Sequence, residues 1–424
     1  ISLTGGAINV TANLAAFNAL TVTNSAASTF SGSLSGSGSL TKAGNGVMVM
    51  TGSSSYSGGT TVSAGTLIRE NTYAAGSHAV ASGAVLEFAV ASGTRDSATT
   101  TFFGAGTLRK TGNGGLIWGS GTATFSLGSG ALIDVRAGTF TGGSWGNDNW
   151  SFNLSDLNVE SGAVFSTVEA NVRVNKITGS GTIRSGYNGA GYQNLTIGVD
   201  NGSSTFAGVI ANAESAGSLL KTGSGTITLT GANTYTGTTY LNSSILNLRN
   251  PNDAAIPGNL VITGGANAGN DNLQYTQAVA RLQYNQQVGS LLAPVDVTVR
   301  GTAFFDLNGY TQAVNNLILQ QPGGSYGNIG AQVGTGVGAL TILGQISANN
   351  VLAIAGVPTI NGFINQKGNG LAVNVAEPES MPLQIALALN ATLQNTTSLT
   401  KTGTGVLGIG GRSLTFTGPI DVNQ

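Results

Sequence analysis

The chain contains no cysteine, a single histidine, three tryptophans and almost no net charge: 16 Lys+Arg face 17 Asp+Glu in 424 residues, a formal balance of −1. Each shortage excludes something. Without thiols there is neither a disulfide framework nor a thiolate metal site, so stability must come from backbone pairing and burial. One histidine rules out a histidine-rich metal centre. Balanced charge, with Arg109-Lys110 as the only adjacent basic pair, removes the electrostatic case for nucleic acid. No apolar run reaches the ~18 residues that a membrane-spanning helix needs. Charged residues are 8% where ~25% is usual, yet 40% apolar content at near-zero charge is the reverse of a disordered chain. Eight prolines, and glycines that do not recur at every third position, exclude collagen. The sequence opens at Ile1 with no basic or apolar leader, which reads as a mature or trimmed product.

What is abundant is glycine, 66 residues, and it recurs in a pattern. Ser39-Leu-Thr-Lys-Ala-Gly-Asn-Gly-Val-Met-Val-Met-Thr-Gly52 is followed by Tyr56-Ser-Gly-Gly-Thr-Thr-Val62. Ser218-Leu-Leu-Lys-Thr-Gly-Ser-Gly-Thr-Ile-Thr-Leu-Thr-Gly231 is followed by Tyr235-Thr-Gly-Thr-Thr-Tyr-Leu241. A third copy starts at Ser398, and a degenerate one runs from Thr107 to Trp118. After each Gly-x-Gly turn, apolar and polar residues alternate with a period of two, which marks a strand with one buried face. The inward positions are Met48 and Met50, Leu116 and Trp118, Ile227 and Leu229, and Leu407 and Ile409. A coil with one apolar stripe cannot bury it alone, whereas coils stacked in parallel can. The pattern therefore predicts an all-β, single-stranded parallel β-helix, that is, a β-solenoid. Roughly 20–25 residues per coil gives about 17–21 coils. Residues 1–250 form the regular, Gly/Thr/Ser-rich half; 251–424 hold all eight prolines and continue the solenoid with more loops, the stretch 252–366 being rich in Asn and Gln.

These residues resemble the passenger-associated repeat of bacterial autotransporters, in which a leucine, a lysine and a Gly-x-Gly turn precede an alternating strand and a Tyr-x-Gly-x-Thr turn. The segments Tyr284–Leu291 and Phe304–Ile318 are also similar to passenger sequence. The resemblance implies a right-handed β-helix displayed outside a bacterial cell. The outer-membrane barrel that follows such passengers does not occur before Gln424, so it is either cleaved away or not used.

The last repeat stops short. Phe416–Val422 aligns with Tyr56–Val62, and appending the N-terminus gives Val422-Asn423-Gln424-Ile1-Ser2-Leu3, with the length and final leucine of Val62–Leu67. One reading is a subunit junction completed head to tail, since an uncapped solenoid exposes a strand edge and an apolar cross-section; an interface of that kind that does not close makes a filament. The other is a fragment of a longer array.

Remaining candidates are few. His78 reads as a solvated turn residue and not as part of a triad. The acids are scattered: Glu377 and Glu379 flank Pro378, Asp156 and Glu160 are local neighbours, and Asp134 and Asp156 have the spacing to stack in adjacent coils. Gly264–Asp271 is a single imperfect glycine-aspartate segment, where calcium would need tandem copies. Trp145 and Trp150 either form a recognition loop for sugar or a partner, or cap the core at a corner. The repeat lysines Lys42, Lys110, Lys221 and Lys401 are expected to lay their stems along the solenoid edge with the amine in water. No cofactor is expected and no enzyme, a polysaccharide-degrading β-helix being the remote alternative. Two functions follow: an extracellular or surface structural subunit that binds copies of itself in a filament or matrix, or an adhesin-like passenger that recognises a glycan or another cell.

Overall fold

A computed structural model describes residues 1–423 apart from 71–74, 98, 119–120, 144–147, 188–193, 265–276, 322–329, 351–355, 378–383 and 412–415. The described residues contain strands and turns but no helix, stacked in parallel as a β-solenoid of about 16 turns. The chain divides into two compact units, Ile1–Asp200 with Phe206–Gly217, and Asn201–Thr205 with Ser218–Gln424.

In the first unit every coil returns to the same faces. One face carries Ser2–Gly5, Ala19–Asn24, Ser39–Ala43, Thr60–Val62, Gly76–Val80, Thr100–Gly104 and Ala123–Leu127, in that order. A second carries nine strands from Asn9–Val10 to Ile177–Gly179, and a third six strands from Thr94–Asp96 to Val209–Asn212. The register makes vertical rows. Met48, Leu67, Leu86, Leu108, Ile133, Leu157 and Ile177 lie one above another, each on the buried face of its strand. Beside them Phe102, Trp118, Phe125, Phe140, Trp150 and Phe165 form a continuous aromatic column, with Phe125 and Trp150 stacked at 4.0 Å.

The second unit follows the same rule with longer excursions. Leu246 stacks on Ala280 and Ile262 on Val299, against Met48 on Leu67 in the first unit. These longer coils account for fewer turns than the about 17–21 expected from a uniform repeat. Its last coils differ again: Thr359–Val375 and Ile385–Thr402 are long, bent strands that pair with each other through register shifts.

Corners leave backbone groups unpaired, and in the second unit glutamine side chains take them up. Gln312 accepts from the Val288 N–H at 3.1 Å and donates to the Val288 carbonyl at 2.7 Å. Gln366 does the same for Ile342, Gln287 for Asn250 and Gln286 for Ala313. Each side-chain amide replaces a missing peptide of the neighbouring coil, as buried backbone requires.

Candidate functional site

The repeat corner is the most elaborated chemistry in the molecule. Lys42 lies on an inward row with Val22 below it and Val62 above; Lys221 pairs with Leu241. Period two puts the lysine on the same face as the leucine two residues before it, so its ammonium enters the interior. Lys42 Nζ donates to the carbonyls of Ala43 (3.0 Å), Gly44 (2.8 Å) and Ala64 (3.1 Å), the last in the next coil. Lys110 repeats this on Thr111 (2.8 Å), Gly112 (2.7 Å) and Ala137 (3.2 Å). Lys221 donates to Gly223 (2.7 Å) and Ser243 (3.2 Å), and Lys401 donates to Gly403.

In all four copies the acceptor two residues on is the first glycine of Gly-x-Gly, with φ of +77° at Gly44, +76° at Gly112, +68° at Gly223 and +81° at Gly403. That left-handed turn brings the carbonyl back over the ammonium. A Cβ on Gly44 would also lie 2.3 Å from the Asn24 carbonyl, so the close approach of coils needs glycine as well. The lysines are therefore not solvated edge residues. All four are buried on carbonyl acceptors, as a buried ammonium requires; Lys42, Lys110 and Lys221 clamp one corner to the next, and Lys401 donates within its own corner. Burial pulls Lys42 below the usual lysine range and brings Lys110 and Lys221 down to about 8.

The Tyr-x-Gly-x-Thr turn has an equally specific reason. The buried Tyr56 hydroxyl pairs with Thr60 Oγ1 at 2.7 Å, and Tyr235 pairs with Thr239 in the same way. Burial raises the Tyr235 phenol, and the Thr239 hydrogen bond only partly opposes it. In the third copy the aligned residues are Phe416 and Ile420, so both hydroxyls are lost together. We expect Tyr235→Phe or Thr239→Val alone to cost about 1–2 kcal/mol by stranding the remaining hydroxyl, and the double variant to cost clearly less than the sum. Chemical denaturation of the four proteins measures this; additive costs would contradict it.

The other predicted residues are distributed as follows. Met48, Met50, Leu116, Trp118, Ile227 and Leu229 are buried. Leu407 is half-buried and Ile409 is 48% exposed, contrary to an inward position, because among the described residues Val406–Ile409 pairs only with the strand before it. His78 is buried on an inward row between Thr60 and Phe102, its ring 5.3 Å from that of Phe102; it lies in the strand Gly76–Val80 and not in a solvated turn. Asp134 does not stack on Asp156: the register sets Asp134 beside Asn158 and Asp156 beside Leu132. Asp134 instead accepts from Arg109 (3.0 Å), Arg136 (2.8 Å) and Asn158 (3.0 Å). Burial alone would raise its carboxyl, but those bonds prevail and hold it below the usual range. Asp156 is held by Lys176 and Glu160 by Asn158.

Trp150 is 2% exposed and gives its indole N–H to the Gly142 carbonyl at 2.7 Å, so it packs the core and offers no ring to a ligand. Glu377 is exposed. Trp145, Glu379, Gln424 and most of Gly264–Asp271 lie outside the described residues. At the two ends, the Ile1 ammonium donates to Ala19 and Leu3 is half-buried, while Ser2 and Val422 are exposed and the Asn423 N–H donates to the Lys401 carbonyl. Among the described residues no group of three His, Asp or Glu is placed to hold a metal, and no helix is long and apolar enough to cross a membrane.

Parallel coils, lysine-clamped Gly-x-Gly corners and Tyr–Thr turns define a β-solenoid built on a specific repeat. Residues 40–68, 219–244 and 399–424 match the family model described as Passenger-associated-transport-repeat, so the chain carries that repeat in three segments, and repeat and β-solenoid together fit a passenger-like protein. The degenerate copy at Thr107–Trp118 lies outside the matched segments, yet Lys110 builds the same clamp. No curated protein and no solved structure matches the chain.

Proposed function

We propose that this is a secreted, surface-exposed bacterial passenger with a structural and non-enzymatic role, which extends by stacking copies of itself head to tail. The repeat family supports the location. The engagement of Asp134, Asp156 and Glu160 by neighbouring side chains supports a scaffold over a catalyst. The observation that carries the stacking is the last coil. Ile409, Ile420 and Val422 are 48%, 52% and 63% exposed, on strands whose outer edge has no partner among the described residues. In earlier coils the equivalent rows lie under the next coil, as Met48 lies under Leu67 and Leu246 under Ala280, and an uncovered parallel edge is a template for another. At the opposite end Ile1 is 62% exposed beside Ser2 and Leu3. The proposed junction therefore joins Val422, Asn423 and Gln424 to Ile1, Ser2 and Leu3 of the next copy. Such a contact does not close and propagates as a filament.

Sedimentation across a concentration series and negative-stain imaging of this chain test the reading. Assemblies that lengthen with concentration, and that Ile420→Asp with Val422→Asp returns to single particles, are the expected result. Single short particles at every concentration would overturn it.

A further inference from the structure

On the first unit an open cleft of about 340 Å³ is lined by Asp148, Asn149, Trp150, Ser151, Asn171, Arg173 and Thr196. That volume falls within the roughly 300–1,000 Å³ of small-molecule sites. Its floor is rigid, because Trp150 is stacked on Phe125 and hydrogen-bonded through its indole N–H. The wall is set by register. Arg173 is the outward residue of Val172–Val174, between buried Val172 and Val174, and pairs across to Thr196 in the next coil.

The polar groups in this cleft are mainly donors. Asn149 Oδ1 accepts from Ser151 N–H (2.9 Å) and Asn171 Oδ1 from Asn194 N–H (3.3 Å), which leaves both NH2 ends to donate. The Asp148 carboxylate accepts from the Ala123 N–H. Arg173 has no ion pair among the described residues, and its Nε is buried with no hydrogen-bond acceptor. A buried donor left unmatched is costly, and a guanidinium matches a carboxylate with two parallel hydrogen bonds.

We infer that this cleft binds an acidic sugar, a uronic-acid unit of a surface polysaccharide, with its carboxylate on Arg173 and its ring hydroxyls on Asn149, Ser151, Asn171 and Thr196. Asp148 is committed to the Ala123 N–H, and the remaining combination of one cation with amides and hydroxyls favours a carboxylate on a polyhydroxylated ring. A phosphate would draw several cations, and an acidic peptide would draw a pocket for its apolar neighbours. This site is independent of the stacking proposed above, because neither end of the chain contributes to it.

The test is calorimetry on the full chain with a glucuronic-acid-containing tetrasaccharide, an uncharged glucose tetrasaccharide and a hexaglutamate peptide. The acidic tetrasaccharide is expected to bind at least tenfold more tightly than the other two, with Arg173→Gln losing at least tenfold. Asn171→Ala provides a second variant that keeps the guanidinium and is expected to weaken the sugar severalfold. Equal binding of the two tetrasaccharides, tighter binding of the peptide, no binding, or indifference to both substitutions would overturn the inference.

Discussion

Lys221→Met is expected to destabilise the second unit by roughly 2–4 kcal/mol at pH 7. The substitution keeps the apolar stem but leaves the Ser243 carbonyl without its donor and the Gly223 carbonyl with only the Ser243 hydroxyl. Each unmatched buried group costs about 1–3 kcal/mol. Two effects compete here, because desolvating the ammonium is itself costly and its removal relieves that penalty. Carbonyl acceptors from two coils decide the sign, since a methyl-ended side chain answers neither. All three tryptophans lie in the first unit, so the readout is amide hydrogen exchange across Ser218–Leu248, where protection should fall most in Thr239–Leu241. Unchanged protection would contradict the clamp.

The same lysines predict an alkaline gain in stability. Lys110 and Lys221 fall to about 8 in the folded chain, below the 10.5 of a free lysine. Between those values the unfolded chain holds more protons, so the folded state gains stability as pH rises from 8 toward 10. Above 10 the sign reverses, because Tyr235 is raised in the folded state and ionises first in the unfolded one. Lys221→Met should flatten its share of the rise between 8 and 10.

Gln312→Leu is the second large effect, at roughly 2–5 kcal/mol. One side chain serves the Gln287 and Val288 N–H groups and the Val288 and Ala313 carbonyls, all within 3.1 Å. Leucine is similar in size and would fill the space, so the loss is almost wholly the stranding of the Gln287 and Val288 N–H groups, since Gln286 Nε2 still reaches the Val288 carbonyl at 3.4 Å and the Ala313 carbonyl at 3.1 Å. Circular dichroism in a urea titration measures it, with the exposed neighbour Thr311→Ala as the control; a cost below about 1 kcal/mol would show that the amide is dispensable.

Much of this architecture was legible in the chain. Alternation after each Gly-x-Gly turn marked Met48, Met50, Leu116, Trp118, Ile227 and Leu229 as inward, because period two is a property of the strand itself. The same alternation also carried the signal for the clamps: Leu40 and Lys42, or Leu219 and Lys221, are two residues apart and must share a face. Lysine ordinarily keeps its amine in water, and that preference points the opposite way from the spacing. The glutamines carried a weaker sign, the recurring Tyr-x-Gln of Tyr284–Gln286 and Tyr310–Gln312, with nothing to say what the amides would meet. Arg173 carried none, and Trp150 suited a core cap and a recognition loop alike.

The sequence by itself determined the strand type, the parallel stacking and most of the apolar inward positions, since those follow from local period and from where glycine permits a left-handed turn. Only the tertiary structure decided what each buried polar group touches. Lys42 meets the Ala64 carbonyl, Gln312 meets Val288 and Asp134 meets Asn158 across coils whose lengths vary, and a hydrogen bond tolerates errors of a few tenths of an ångström. Partners so far apart along the chain are chosen by the register of one coil on the next, and register is a property of the assembled stack.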